Sequence, residues 1–463
     1  MKLKAWTLRR LVCCLAIIWL AGQSSVSFAV ERLVWNKEKN SVAAEISTWD
    51  LDKLLENIAS ATGWQIFVEP TATHAVSTKF KDRAPGDALR LLLGDLSYAL
   101  LPQTNAPAKL YVFKTALHEA TRLVRAPAKA AAVKPKPIAD EWIVTVKPGT
   151  NIDELAKKMG AKVIGRAEGL NTYRLKFDDA TAAEAAGDKL KSDPSVASID
   201  YNYSVPTPDQ PQNLSLSSSM PPMNLVPKAV PDGNRIIVGL IDTAVQPKGT
   251  GLEGFFLPSI SVAGEANPPA DQPTHGTSMA ETMARSMSAV GSDTESRVRF
   301  LNVNVYGNNP STTTFEVALG VYKAINAGAM IINMSLGGAG DNSMLHQVIQ
   351  SGHDQGVIFF GSAGNEPVAT PTLPAAYPEV VAVTAGDRQG NVASYANYGS
   401  FVDVIAPGSS IVNFNNQSWL VMGTSASSAY MAGLAAAMAD RSGKSFLDVE
   451  TAIRSRFRFS SGK

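Results

Sequence analysis

The sequence predicts an α/β chain in which a three-layer, parallel-sheet domain follows two small α+β domains. Three observations predict it. From residue 236 onward, short apolar runs alternate with helical patterns, as strands covered on both faces do. Upstream, residues 31–115 and 139–205 each mix strand-like and helix-like patterns within the length of a small domain. Proline-rich stretches, 116–138 and 206–232, separate the three pieces. A length of 463 residues suits about three domains. With 45% hydrophobic and 18% charged residues the chain can bury sizeable cores, which excludes wholesale disorder. Lys and Arg exceed Asp and Glu by 42 − 41 = +1, which argues against a nucleic-acid partner.

The first residues read as an address. Lys2, Lys4, Arg9 and Arg10 precede an uncharged apolar stretch, Leu11 to Ala21, and then Ser27-Phe28-Ala29. This is a secretory signal pattern over 1–29, with cleavage expected after Ala29. The apolar run, ~11 residues, is too short to span a bilayer. No later segment is apolar enough, so no membrane span is expected once the signal is gone. The product is expected in the periplasm or secreted. Cys13 and Cys14 are the only cysteines. They leave with the signal, so disulfides, Cys-bound zinc and thiol catalysis are excluded from the mature chain.

Within 31–115, Ser41 to Ile46 reads as a strand, and Asp50 caps a helix with apolar helical spacing that Gly63 stops. Trp64 to Val68 and Val76 to Phe80 read as strands, Pro85 to Leu93 as a helix, and Lys109 to Phe113 as a closing strand. This β-α-β-β-α-β pattern resembles the short N-terminal domain of secretins and TonB-dependent receptors. The resemblance implies a periplasmic docking module for an envelope partner. The linker 116–138 carries spaced lysines and prolines between Arg125 and Pro137 and no acid there, so it is expected to be extended.

Residues 139–205 begin with a strand over Glu141 to Lys147 and a helix over Asn151 to Met159. Strands over Lys162 to Arg166 and Asn171 to Phe177 follow, then a helix over Ala180 to Leu190 and a return strand after Asp193-Pro194-Ser195. This unit resembles the propeptide (inhibitor) domain of subtilisin-like proteases. The linker 206–232 is expected to carry the processing site.

In 233–463, apolar strands are expected at Ile236 to Ile241, Val298 to Val305, Ala329 to Met334, Val357 to Phe360, Val380 to Thr384 and Val402 to Ile405. In such sheets the chemistry sits at the carboxyl ends of strands. Asp242 ends the first strand, where a carboxylate is costly to bury unpartnered. His275, in Thr274-His275-Gly276-Thr277, opens a helix, and Gly276 admits another chain segment closely. Ser425, in Gly423-Thr424-Ser425, opens a small-residue helix whose dipole favours negative charge at its oxygen. Asn365, on the turn Ser362-Ala363-Gly364-Asn365, can donate to a developing oxyanion.

These motifs, in the order Asp…His…Ser, resemble the catalytic domain of subtilisin-like serine proteases (subtilases) over 236–456. The resemblance implies a subtilisin-like fold and a serine endopeptidase acting on protein or peptide substrates. It implies Asp242 as the group that orients the imidazole, His275 as base, Ser425 as nucleophile and Asn365 as oxyanion donor. Ser335, Leu336 and Gly337, in Asn333-Met334-Ser335-Leu336-Gly337, would line the substrate groove. The upstream unit implies a self-processing zymogen. No cofactor or metal ligand set is indicated; calcium, common in the family, finds no convincing acidic loop here.

The chain departs from the family at Ala244, Glu281 and Ala429, where Gly, Gly and Pro are usual. Those departures motivate an alternative, a pseudoprotease or envelope docking protein using the N-terminal domain. His346 and His353, seven apart, share a helix face and read as solvated.

Overall fold

The computed structural model describes residues 32–36, 39–101, 108–117, 122–124, 135–214, 223–290, 295–387 and 390–459. The leader with its two cysteines, His118, most of the first linker and the run 215–219 lie outside them. The chain divides into two units, Met1–Pro127 and Ala128–Lys463.

In the first unit, β1 (Arg32–Asn36), β2 (Ser41–Asp50) and β4 (Ala75–Arg83) form one antiparallel sheet. β3 (Gln65–Val68), β5 (Ser97–Leu101), β6 (Lys109–Phe113) and β7 (Arg122–Val124) form a second, ordered β5-β6-β3-β7. Helices α1 (Leu51–Thr62) and α2 (Pro85–Leu93) supply Leu54, Leu55, Ile58, Leu89 and Leu92 to the shared core. Asp50 caps α1 by accepting the Lys53 N–H at 2.8 Å, as its position before the apolar spacing predicts. β7 lies within the stretch read as linker, because Arg122 to Val124 pair with Val68 to Ile66. Three residues carry no periodicity of their own; only the partner strand defines them.

The second unit starts with β8 (Glu141–Val146), α3 (Ile152–Met159), β9 (Lys162–Ala167), β10 (Thr172–Lys176), α4 (Ala180–Ser192) and β11 (Val196–Asp200). The antiparallel sheet β11-β8-β10-β9 carries α3 and α4 on one face, over Trp142, Val144, Tyr173 and Leu175. Its other face turns to the large body that follows: Ile143 and Ala167 join that body's core.

Three short strands follow: β12 (Ser204–Pro206), β13 (Gln212–Leu214) and β14 (Val226–Pro227). The body then comprises β15 (Ile236–Asp242), β16 (Ile260–Ser261), α5 (His275–Ala289), β17 (Glu295–Ser296) and β18 (Val298–Asn304). Next come β19 (Ser311–Thr313), α6 (Thr314–Asn326), β20 (Ala329–Met334), α7 (Ser343–Asp354), β21 (Ile358–Ser362) and β22 (Val380–Gly386). It closes with β23 (Val404–Pro407), the hairpin β24 (Ser409–Phe414) and β25 (Gln417–Met422), α8 (Thr424–Ser442) and α9 (Phe446–Arg456).

Seven parallel strands, β16-β18-β15-β20-β21-β22-β23, make the large sheet. Successive side chains face opposite sides. Val238, Leu240, Val298 and Phe300 pack with α5 and α8, while Ile241, Leu301 and Val303 pack with α6 and α7. Two covered faces explain why these strands read as unbroken apolar runs. This is the three-layer, parallel-sheet α/β fold that the sequence predicts, preceded by two small α+β domains.

The second linker is laid along sheet edges. β12 pairs with β19, β13 with β25, and β14 with β17.

Candidate functional site

Three neighbouring parallel strands end at the site. β15 ends at Asp242, β20 runs into Ser335, and β21 leads to the turn that carries Asn365. Their carboxyl ends open on one edge of the sheet, where α5 and α8 also begin.

The Asp242 carboxylate is fully buried, and its neighbours satisfy it. Oδ1 accepts the Thr243 N–H at 2.6 Å. His275 Nδ1 lies 2.9 Å from both carboxylate oxygens. An imidazole that gives its Nδ1 proton to Asp242 keeps a lone pair on Nε2.

The start of α5 holds the ring. The Thr274 side chain caps the helix, accepting the Thr277 N–H at 3.2 Å and donating to the Ala244 carbonyl at 2.7 Å. At Gly276 a Cβ would stand 2.5 Å from the Thr243 carbonyl oxygen, so only glycine fits. The segment that Gly276 admits is thus the one that carries Asp242.

Ser425 lies in the first turn of α8 and is 7% exposed. Gly423 precedes the helix with φ 132°, a conformation for glycine, and a Cβ there would sit 2.9 Å from Asn365 Nδ2. The Ser425 hydroxyl donates to the Ser335 carbonyl at 3.3 Å, and Ser335 Oγ donates to the Ser425 carbonyl at 3.0 Å. Among the described residues no hydrogen bond joins Ser425 to His275. A rotation of χ1 between staggered wells redirects the hydroxyl, and uncomplexed sites commonly show such loose contacts. Asn365 Oδ1 accepts the Thr424 N–H at 2.9 Å and its hydroxyl at 3.0 Å, which orients the amide and leaves Nδ2 uncommitted among the described residues.

The groove residues expected from the sequence divide in role. Ser335 touches Ser425, Leu336 is buried in the core beside Val205, and Gly337 backs onto Leu373. Sequence reasoning missed the strap above them. Tyr203 lies against Gly340, Ser204 against Gly338, and Val205 beside Leu336, so the chain advances toward Ser335. The Thr207 N–H then bonds the Pro310 carbonyl at 3.0 Å. From Gln212 the chain pairs with β25, which leads through Gly423 into Ser425. The bonds of 208–211 therefore connect the two rims of the site.

Glu281, unusual at its position, is buried; its Oε1 accepts the Asn413 N–H at 2.7 Å and Arg285 Nη2 at 2.6 Å. Burial raises its carboxyl above the usual range. It fastens β24 to α5. Ala429 continues α8 without a break. His346 and His353 are not free on the helix surface: His346 meets Glu379 at 3.0 Å and stacks on Tyr377, and His353 meets Glu450 at 3.3 Å. Those carboxylates come from elements far along the chain, which helix spacing cannot show.

The upstream domain grips the body at two helix N-termini. Asp200 Oδ2 accepts the Ser343 N–H of α7 at 2.5 Å. Asn202, fully buried, accepts the Phe315 N–H of α6 at 3.2 Å and donates to Glu141 at 2.8 Å. Glu141 holds Arg174 bidentately, at 2.7 and 2.8 Å, and Arg174 reaches Glu316 of α6 at 2.6 Å. Replacing Asn202 with Ala strands the Phe315 N–H and leaves Glu141 Oε2 with Arg174 alone, an expected loss of about 1–3 kcal/mol. The upstream domain should then bind the body roughly 5- to 150-fold more weakly, read as a dissociation constant. An unchanged constant would mean the network adds nothing to the grip.

The subtilase family profile matches residues 233–454, and that of the fervidolysin N-terminal prodomain matches 125–202. Thermitase of Thermoactinomyces vulgaris is 32% identical over 228 residues, 48% of this chain and 81% of thermitase. The chain belongs to the subtilase family. A thermophilic serine proteinase of Bacillus sp. (strain AK1) is 32% identical to this subtilase over 220 residues, covering 47% of it. The chain spans 55% of that relative's length. Among solved structures, fervidolysin of Fervidobacterium pennivorans matches with a TM-score of 0.52 at 18% identity, over 68% of this chain and 56% of fervidolysin. The epidermin leader peptide processing serine protease of Staphylococcus aureus matches with a TM-score of 0.52 at 16% identity, over 68% of this chain and 91% of that one. At such identities the structures share the subtilase fold, with the parallel sheet at its centre.

Proposed function

We propose that this subtilase is an exported serine endopeptidase, made as a zymogen that processes itself. In this reading 1–29 is the removed signal, 139–205 the inhibitor and 233–463 the catalytic domain. The observation that carries it is the buried Asp242–His275 pair on the sheet edge where Ser425 opens α8. Asp242 fixes the imidazole tautomer and stabilises the imidazolium that forms. His275 Nε2 takes the Ser425 proton as Oγ attacks the peptide carbonyl. Asn365 Nδ2 and the Ser425 N–H receive the oxyanion. His275 then returns the proton to the leaving amine. Water, activated by the same imidazole, releases the acyl group and restores Ser425.

Export rests on the leader's charge and length pattern. Among the described residues no helix is long and apolar enough to cross a membrane. An envelope-docking role for 31–115 rests on its element order alone.

A fluorophosphonate probe tests the active-site reading. The processed chain should be labelled at Ser425, and the label should be lost in His275→Ala. A processed chain that stays unlabelled would leave the pseudoprotease reading in its place.

A further inference from the structure

Tyr306 belongs to no motif in the sequence, yet it follows Val305, whose N–H donates to the Asp242 carbonyl at 3.0 Å, and its own hydroxyl reaches the strap. It is among the largest fully buried side chains, 1% exposed. Its backbone is fixed at both ends: the N–H donates to Asn304 Oδ1 at 3.1 Å, and the carbonyl accepts the Asn309 N–H at 3.0 Å. Its hydroxyl donates to the Pro206 carbonyl at 3.0 Å. A phenol buried this deeply needs a partner, and here the partner is main chain of the strap.

We propose that Tyr306 is a substrate-binding residue whose hydroxyl holds a main-chain carbonyl of the peptide upstream of the scissile bond. The inference rests on the endopeptidase reading and deepens it. Pro206 belongs to the segment that runs past Gly338 and Leu336, residues beside Ser335, whose carbonyl accepts the Ser425 hydroxyl. The neighbouring contacts are of the same kind. The Thr207 N–H donates to the Pro310 carbonyl at 3.0 Å, and Val205 pairs with Thr312. These bonds read backbone, not side chains. Val205 supplies the side-chain contact: it is 4% exposed, in the core with Val317 and Leu336. The subsite therefore takes an extended peptide with a medium-sized apolar residue, followed by a residue whose carbonyl meets Tyr306. Burial, and after it the nearby Asp242 charge, raise the phenol well above its usual range, which favours the protonated, donating form.

The test uses the self-processed full chain and two internally quenched peptides. One carries the chain's own sequence from Ser204 to Gln212; the other begins at Thr207 and lacks the Pro206 carbonyl. The ratio of kcat/KM for the long over the short peptide should fall about tenfold in Tyr306→Phe, the size of one hydrogen bond. An unchanged ratio, with Ser425 labelled equally by the serine probe in both proteins, overturns the proposal. If Ser425 is not labelled in the wild type, the endopeptidase reading fails by itself. Hydrogen exchange in the uncut Ser425→Ala chain then decides for the tyrosine. Faster exchange at Thr207 in Tyr306→Phe supports its grip on an upstream carbonyl, and unchanged exchange overturns it.

Discussion

Ser425→Ala should leave the purified chain whole, while the wild type is expected to separate into an inhibitor piece and a catalytic piece. Losing the nucleophile costs on the order of 10⁶ in kcat in a related triad, so a cut completed in minutes would take years. The position of the cut follows from the strap. β12 holds the chain up to Pro206, Thr207 is still bonded to Pro310, and β13 takes hold again at Gln212. The cut therefore falls between Thr207 and Gln212. Thr207–Pro208 and Gln210–Pro211 have a proline nitrogen as leaving group, whose ring would crowd the place where, in the proposed mechanism, His275 delivers a proton. Pro208–Asp209 is the first bond free of that obstacle, and Asp209–Gln210 is next. Intact mass and N-terminal mapping should show a catalytic piece beginning at Asp209 or Gln210. A Ser425→Ala chain cut at the same place in pure form would assign the cut to another protease. A wild-type cut beyond Leu225 would show that the strap is not the first substrate.

The fold was legible where burial leaves a pattern in neighbouring residues. Ala329–Met334, Pro85–Leu93 and Lys109–Phe113 were found to the residue, because unbroken apolar runs and the Pro-start signal state their own limits. Asp242, His275, Ser425 and Asn365 stand out in the sequence because each lies at the end of such an element, in a context that glycines mark, and the structure sets His275 against Asp242. The strap was not. Ser204 to Pro206 and Gln212 to Leu214 are three-residue pieces with a proline and polar residues, and only β19 and β25 make strands of them. Tyr306 was hidden for a related reason. It follows the apolar run that ends at Val305 and reads as one more core aromatic; its value lies in a hydroxyl that meets Pro206, 100 residues earlier. His346 and His353 show the same limit, since Glu379 and Glu450 complete them from a distance.

Asn365→Ala should lower kcat about 10²- to 10³-fold with KM changed roughly twofold at most, as expected when one oxyanion donor is lost. The size follows from where the charge develops. The substrate carbonyl is a weak acceptor in the ground state and an anion in the transition state, so the donor matters mainly to kcat. Asn365 has a second task, because its Oδ1 accepts the Thr424 N–H at the start of the Ser425 helix. Losing that bond alone could shift Ser425 and mimic the loss of a donor. Asn365→Asp separates the two. The carboxylate still accepts from Thr424, at the same distance and with the same shape, but it offers no hydrogen and adds a negative charge beside the oxyanion. If Asn365 served only to anchor Thr424, Asp would restore most of what Ala loses. A donor role demands that Asp be no better than Ala, in kcat measured under saturating peptide on the processed chain. Gly423 makes the comparison sharper: its would-be Cβ falls 2.9 Å from Asn365 Nδ2, so little space remains for another side chain to supply the missing hydrogen.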